Sequence, residues 1–419
     1  MKASRLRIVV TGLITQHPTL GGVAWDYVQY AAGLARLGHD VFYLEDSGEW
    51  PYSLDGGPTG DDWVRRDPSE NLVHLQAVLS RYGLGEKWAY RFPLDSRWFG
   101  LTDLRRREVI ASADLLVNVS GTLEHPGQYR AIPRLVYIDS DPVFTQIKLQ
   151  LKDSQRAFRE SFEGHDVFFT FGDGIPELDP ERTWNVTRQP ILLDEWRDAP
   201  HGQAYTTVMS WTSYKPLRFE GQDYGQKDVE FARFIELPSK TPTSLEVAMG
   251  GAHHADWETG KAQLSETTAE LLRENSRLTP AELLSRNGWR VVDALQRCGT
   301  PDAYHKYITS SKAEWSVAKN GYVRGRSGWF SCRSACYLAA GRPVVVQDTG
   351  FTLPAGEGIL KFSTLEQAVD AIREVETIYP RHVHAARSLA EEYFNSDKVL
   401  GELIEIATQR QKETMGATA

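Results

Sequence analysis

Ser327-Gly328-Trp329-Phe330-Ser331-Cys332-Arg333-Ser334-Ala335-Cys336-Tyr337-Leu338-Ala339-Ala340-Gly341-Arg342-Pro343-Val344-Val345-Val346-Gln347-Asp348-Thr349-Gly350 reads as five pieces in a row. They are a glycine turn, a short helix over Arg333–Ala340, a Gly-x-Pro corner, an apolar strand over Pro343–Gln347 and a polar turn closed by glycine. A helix N-terminus carries free N–H groups and a partial positive charge, so a glycine turn feeding a helix suits a phosphate. Lys319, Arg324 and Arg326 precede Arg333 within fourteen residues. A guanidinium just inside the helix can fork onto a diphosphate, so Arg333 first and Lys319 second are the expected phosphate contacts.

Around this segment strands and helices alternate. Thr206–Trp211, Leu245–Met249, Trp289–Asp293, Trp315–Ala318 and Ile359–Phe362 read as strands, and Asp228–Leu237, Ser265–Arg273, Thr279–Arg286 and Asp302–Ile308 as helices. Thr279, Pro280 and Glu282 make a capping box. From Thr364 the chain reads as helical, broken near Pro380. The first half repeats the pattern. Leu6–Leu13, Val41–Glu45, Leu115–Val119, Leu135–Ile138 and Val167–Phe171 are short apolar runs of the kind found in parallel strands covered on both faces. Between the first two, Val23, Tyr27, Tyr30, Ala31, Leu34 and Leu37 follow helical spacing, and Gly38 ends the helix. Strand, glycine turn, helix and strand form a βαβ unit. The expectation is an α/β protein of two Rossmann-like, doubly wound domains at 1–200 and 205–378, with terminal helices at 379–419. Ile191–Gln203 reads as a linker and Asp46–Asp67 as a long loop.

A chain of 419 residues, 41% hydrophobic and 25% charged, can bury two substantial cores. A net charge of −9 argues against sequence-blind nucleic-acid binding. No apolar run approaches the roughly 18–20 residues of a membrane span, and Ile8–Leu13 is too short for a signal peptide, so a cytoplasmic protein is expected. Cys298, Cys332 and Cys336 cannot close a disulfide framework; Cys332 and Cys336 share a helix face and read as small buried residues. His253-His254-x-Asp256 has the look of a ligand cluster, yet adjacent histidines point apart on regular backbone. No metal site is expected.

The first half holds three further candidates. Gly21 and Gly22, between the first strand and helix, allow a ligand close to the backbone. They do not form Gly-x-Gly-x-x-Gly, and Asp40 reads as part of a helix-end turn, which weakens a dinucleotide-binding reading. Asp139 and Asp141, in Tyr137-Ile138-Asp139-Ser140-Asp141-Pro142, stand at a strand's C-terminal end, where open α/β sheets gather their active sites. Either could be a general base, with Asp139 favoured, while Asp141 could cap the next helix. His17, and less so His125, could face the same cleft as base or sugar contact. Of the twelve tryptophans, Trp329 is the best ligand contact and the rest read as anchors pinning loops to the core.

Gly21-Gly22, a helix, then Gly33-Leu34-Ala35-Arg36-Leu37-Gly38-His39-Asp40-Val41 and a strand look like the N-terminal signature of GT-B glycosyltransferases of the large retaining, glycogen-synthase-like group. The segment 327–350 is similar to that group's donor-sugar site. One departure is plain: the group's ribose-binding glutamate falls at Cys336, and its other glutamate has no counterpart near Arg326-Ser327-Gly328. The resemblance implies two domains facing across a cleft. The terminal helix would return to the first domain through Leu389, Tyr393, Phe394, Val399, Leu400, Leu403 and Ile406. It implies donor contacts from Gly21, Gly22, Lys319, Arg326, Ser327, Gly328, Trp329, Phe330, Ser331, Arg333, Asp348, Thr349 and Gly350. The implied reaction moves a hexosyl or deoxyhexosyl group from a nucleotide-diphosphate sugar to a small-molecule or glycan acceptor, with no metal and no cofactor beyond that donor. Arg333 and Lys319 would stabilise the leaving diphosphate; in an inverting reaction Asp139 or His17 would be the base. The alternatives are a non-catalytic nucleotide-sugar or glycan-binding protein, a nucleotide-sugar epimerase of the same fold and, on fold class only, a nicotinamide-dependent oxidoreductase.

Overall fold

The computed structural model describes residues 5–53, 65–151, 155–197, 200–213, 215–250 and 278–416. The expected helix Ser265–Arg273 and the group His253, His254, Asp256 and Trp257 lie outside the described residues.

The first sheet holds β1 (Arg7–Thr11), β2 (Asp40–Glu45), β3 (Trp88–Arg91), β4 (Trp98–Gly100), β5 (Leu115–Val119), β6 (Leu135–Asp139), β7 (Val167–Thr170) and β8 (Trp184–Val186). Their order is β4-β3-β2-β1-β5-β6-β7-β8, parallel throughout except for the β3–β4 hairpin at one edge. The second part of the chain adds β9 (Tyr205–Ser210), a two-stranded insertion of β10 (Leu217–Phe219) and β11 (Gln222–Tyr224), then β12 (Leu245–Gly250), β13 (Arg290–Asp293), β14 (Ala313–Ser316), β15 (Val344–Gln347) and β16 (Ile359–Phe362). The main second sheet runs β13-β12-β9-β14-β15-β16 and is entirely parallel. Valine and leucine fill its strands because helices cover both faces: β5 in the first sheet and β15 in the second are buried at every residue.

Each sheet reverses its strand order once, between β1 and β5 and between β9 and β14. At such a switch point neighbouring crossovers leave on opposite faces and open a crevice at the carboxyl ends of the strands. The two crevices face each other.

Helix Gly21–Arg36 is buried around most of its circumference, from Ala24 and Trp25 through Tyr30 to Leu34. A helix apolar all round needs cover on every side. It packs on its own sheet, on the second domain's Pro301–Thr309 helix and on the terminal Ser396–Gly416 helix. The spacing predicts only one buried stripe; Leu37, a member of that stripe, is exposed. The terminal helix does return to the first domain. Leu400 fits against Gly33, where a Cβ would approach the Leu400 methyl to 2.5 Å. Leu400, Leu403 and Phe394 are buried, whereas Leu389, Tyr393 and Ile406 are partly buried. The stretch expected as a linker is a packed crossover in its first half. Ile191, Leu192 and Trp196 are fully buried, and Ile191 pairs with the 394–396 turn through two backbone bonds, Ile191 N–H to Phe394 (2.7 Å) and Ser396 N–H to Ile191 (3.0 Å).

The tryptophans largely serve the cores. Trp315 stacks on Phe362 at 5.4 Å and meets Trp289, Phe231 and Phe234 edge-on or tilted, behind the second sheet. Trp25 tilts against Trp196 at 4.9 Å and donates its indole N–H to the Pro301 carbonyl across the domain boundary.

Candidate functional site

The facing crevices merge into one cleft of about 390 Å³. The first domain lines it with Gly21, Gly22, Asp26, Tyr27, Ser120 and Ser140. The second lines it with Ser210, Lys227, Lys319, Tyr322, Trp329, Ser331, Cys332 and Arg333.

Arg333 comes from the first turn of helix Cys332–Ala339. Its Nε donates to Glu314 (2.7 Å) and its Nη1 to the Val208 carbonyl (2.7 Å), so the guanidinium is locked between β14 and β9. Burial opposes its charge; the fully buried Glu314 overrides that and holds the pKa above the ordinary value. The remaining terminal nitrogen, Nη2, makes no bond to a described residue. Lys319 follows β14 and reaches across the cleft to Asp141 at 2.9 Å, with its ammonium over the rings of Phe144 and Tyr322. The loop that carries it is braced from below: Gln347 accepts from the Ala318 N–H (3.1 Å) and donates to Glu230, which also accepts from Asn320 (2.8 Å).

Two lining residues escaped the sequence reading. Lys227 opens a short helix over Lys227–Ala232. Burial first, then the charges of Arg333 and Lys319, push its pKa well below that of an ordinary lysine, against a smaller pull from Glu314. A cation at a helix N-terminus is electrostatically misplaced unless an anion joins it, and that was the legible signal. Asp26 sits one turn into the Gly21–Arg36 helix, in the cleft. Burial raises its carboxyl to about 7 despite the nearby Arg333. A lone carboxylate in the first turns of an otherwise apolar helix was the corresponding signal.

The expected residues divide. Gly21, Gly22, Lys319, Trp329, Ser331 and Arg333 line the cleft. The glycine pair has a packing reason as well: a Cβ on Gly21 would run into the Thr300 carbonyl, and one on Gly22 would reach the Tyr304 ring at 2.9 Å. Trp329 stacks on Tyr322 at 4.3 Å. Ser327, Gly328, Phe330, Asp348, Thr349, Gly350 and Arg326 stand back from the cleft. Gly328 has φ +75, and a Cβ there would meet the Asp173 backbone N–H at 2.5 Å; Trp329 bridges to Gly172. The glycine turn is therefore a seam between the domains. Ser327 accepts from Gly174 (3.1 Å), Phe330 packs on Phe351 and Phe394, and Thr349 ties back to the Trp329 carbonyl. Asp348 accepts from the Gly350 N–H and lies 3.8 Å from both Arg326, which is largely exposed, and Lys361.

Asp139 and His17 also lie outside the cleft lining. Asp139 is buried and accepts from Thr145 (2.7 Å), Gln146 (3.0 Å), Thr170 (3.1 Å) and the Asp141 N–H (3.1 Å). Burial raises it to about 6, with the Gln146 and Thr145 bonds acting against that. It organises the strand end rather than facing a substrate. His17 stacks on Tyr52 at 5.0 Å, and burial lowers it to about 4, so it is neutral at pH 7. Asp141 does not cap the next helix through its side chain; it holds Lys319 and Tyr322 of the other domain. Cys336 is buried against the first domain's helix beside Gln29, and Cys332, one turn earlier, reaches the cleft.

Two parallel doubly wound sheets, a cleft between their switch points and a terminal helix returning to the first domain define the GT-B glycosyltransferase fold. No family model and no curated protein sequence matches the chain. Solved structures do. An alpha-glucosyltransferase in complex with UDP and a 13-mer DNA is similar with a TM-score of 0.57 at 12% identity, over 96% of this chain and 100% of that one. Anabaena HepE in complex with UDP and glucose has a TM-score of 0.53 at 10% identity, over 97% and 100%. Sucrose-phosphate synthase from Thermosynechococcus elongatus has 0.50 at 12% identity, over 99% and 100%. At such identities the likeness establishes the shared fold. No helix among the described residues is long and apolar enough to cross a membrane.

Proposed function

We propose that the protein is a glycosyltransferase that takes a sugar from a UDP-sugar held in the interdomain cleft. The observation that carries this reading is the meeting of Lys227, Arg333 and Lys319 in one cleft of an acidic protein. Burial first, and then the charges of Arg333 and Lys319, make a charged Lys227 costly in this space. A diphosphate reverses that cost, and the same groups then stabilise the charge that develops on the departing UDP. The N-terminus of the Cys332–Ala339 helix, with Ser331 at its cap, adds N–H groups on the same side. UDP is the natural first donor to test, since two of the fold's solved representatives hold it.

Asp26 is the proposed acceptor-side group. A carboxyl titrating near 7 in the first-domain wall is poised to take a proton from an attacking hydroxyl. It replaces Asp139 and His17 in that part, because neither lines the cleft: Asp139 is committed to four hydrogen bonds and His17 is stacked on Tyr52. Side-chain cations take the charge-neutralising part, so the proposal includes turnover in the presence of EDTA. The acceptor proposed is a small molecule or glycan. The overall negative charge does not decide this point, because an alpha-glucosyltransferase of the same fold is in complex with DNA; duplex DNA belongs in the acceptor panel. A binding protein without turnover is the second reading, favoured by Cys336 lying buried where a ribose-binding glutamate was expected.

A thermal-shift screen with UDP, UDP-sugars, other nucleoside diphosphates and NADPH tests the donor site. A ligand that binds only the folded protein raises its melting temperature. UDP and one of its sugars are expected to stabilise the wild type. Lys227→Ala should weaken UDP binding by roughly tenfold or more, about 1.4 kcal/mol, without lowering the melting temperature of the free protein. UDP stabilisation that is equal in wild type and Lys227→Ala would remove the cation cluster from the argument.

A further inference from the structure

A second pocket, of about 430 Å³, opens at the opposite end of the second sheet, against the amino ends of its strands. Thr206, Glu246 and Arg290 stand side by side in register on β9, β12 and β13, so their side chains share one face. The interdomain cleft begins at Val208, two residues further along β9, or about 7 Å of extended strand. Helices Ala294–Cys298 and Pro301–Thr309 close the pocket with Arg297, Lys306 and Tyr307.

Its charges do not balance. Glu246 is buried and engaged by Arg290 at 2.6 Å. Arg297 and Lys306, both exposed at the rim, have no ion-pair partner among the described residues. The floor is made of hydroxyls. Thr206 is buried and bonded to Ser311 and Tyr337, each at 2.6 Å. The Tyr307 hydroxyl is buried beside Glu246 without a well-formed hydrogen bond, and a buried hydroxyl in that state calls for a partner.

We propose that this rear pocket binds a small phosphate monoester of a polyol. Arg290, Arg297 and Lys306 supply the cationic rim, arginine being suited to forked phosphate contacts and lysine to a point charge. The hydroxyl floor suits the polyol, and the volume suits one small ligand. The proposal stands independently of the activity assigned to the cleft.

The test uses the full chain and isothermal titration with glucose 6-phosphate, glucose and inorganic phosphate. Glucose 6-phosphate is expected to bind, inorganic phosphate to bind more weakly and glucose to give no signal. The Arg297→Ala/Lys306→Ala double variant changes two exposed side chains and so should fold; its affinity should fall roughly tenfold or more. Lys227→Ala, which alters the cleft, should leave the affinity unchanged. No binding to the wild type overturns the proposal. So does binding that survives in the double variant and is lost in Lys227→Ala, which assigns the phosphate to the cleft. Equal affinity for inorganic phosphate overturns the ester.

Discussion

Two carboxylates show how differently one residue type is used here. Asp139 sits at a strand end, and four hydrogen bonds turn it into internal scaffolding. Asp26 faces the cleft, near Arg333, and titrates near 7. Its ionised form is disfavoured in the folded state, so between about 4 and 7 the folded protein binds more protons at this site than the unfolded chain. Its contribution to stability therefore declines as pH rises through that window. If Asp26 is the base, kcat/KM should rise with pH along a limb of apparent pKa about 7. Asp26→Asn should flatten that limb and reduce turnover by roughly 10²–10⁴-fold, while UDP affinity holds. A rate profile with the same limb in Asp26→Asn would assign it to another group. The same substitution should also make the ligand-free protein's stability less dependent on pH over that range.

At the level of elements, much of what looked like ligand chemistry is domain docking. Gly21 and Gly22 let the first turn of their helix touch Thr300 and Tyr304, and Gly328 lets the 327–329 turn close on Asp173. The strained neighbour of this seam is Val143, a β-branched residue at φ +74, whose methyl fits against Gly325. Gly321 likewise makes room for Phe144. Gly21→Ala should thus cost about 1–3 kcal/mol through overpacking, read as a lower melting temperature, and should weaken UDP binding because the cleft walls are pushed apart. A Gly21→Ala protein as stable as wild type would show that the helix can shift without penalty.

The whole molecule is held closed by polar latches that flank the cleft. Asp141 of the first domain grips Lys319 and Tyr322; Asp173 takes the Thr352 N–H (2.6 Å) and hydroxyl (2.8 Å). Behind them, Arg387 in the Tyr379–Tyr393 helix donates to the carbonyls of Leu193 (3.2 Å), Trp196 (3.1 Å) and Ala339 (2.7 Å), tying the crossover to the second domain. Lys319 is both a latch and a cleft cation, so ligand binding and closure share a side chain. Asp141→Asn should free Lys319, enlarge the radius of gyration of the ligand-free protein in small-angle scattering, and let UDP restore the compact form. Identical scattering curves for variant and wild type would mean that the apolar contacts of Val143, Phe144 and Tyr322 suffice to hold the domains together.

The two doubly wound sheets, and Lys319 and Arg333 as cleft cations, were legible in the order of the residues. Apolar runs report burial strand by strand, and a basic cluster beside a helix start is local in the chain. The return of the terminal helix was implied by the resemblance to GT-B glycosyltransferases, and the burial of Leu400 and Leu403 agrees with it. Which polar residues share the cleft depended on how the two sheets dock. Asp26 and Lys227 belong to different halves of the chain and meet because the switch points of two sheets face each other, a relation no periodicity encodes. Tertiary packing also turned Asp139 inward and made the glycines docking surfaces, because local spacing states where a residue sits on its own element and docking states what that element faces.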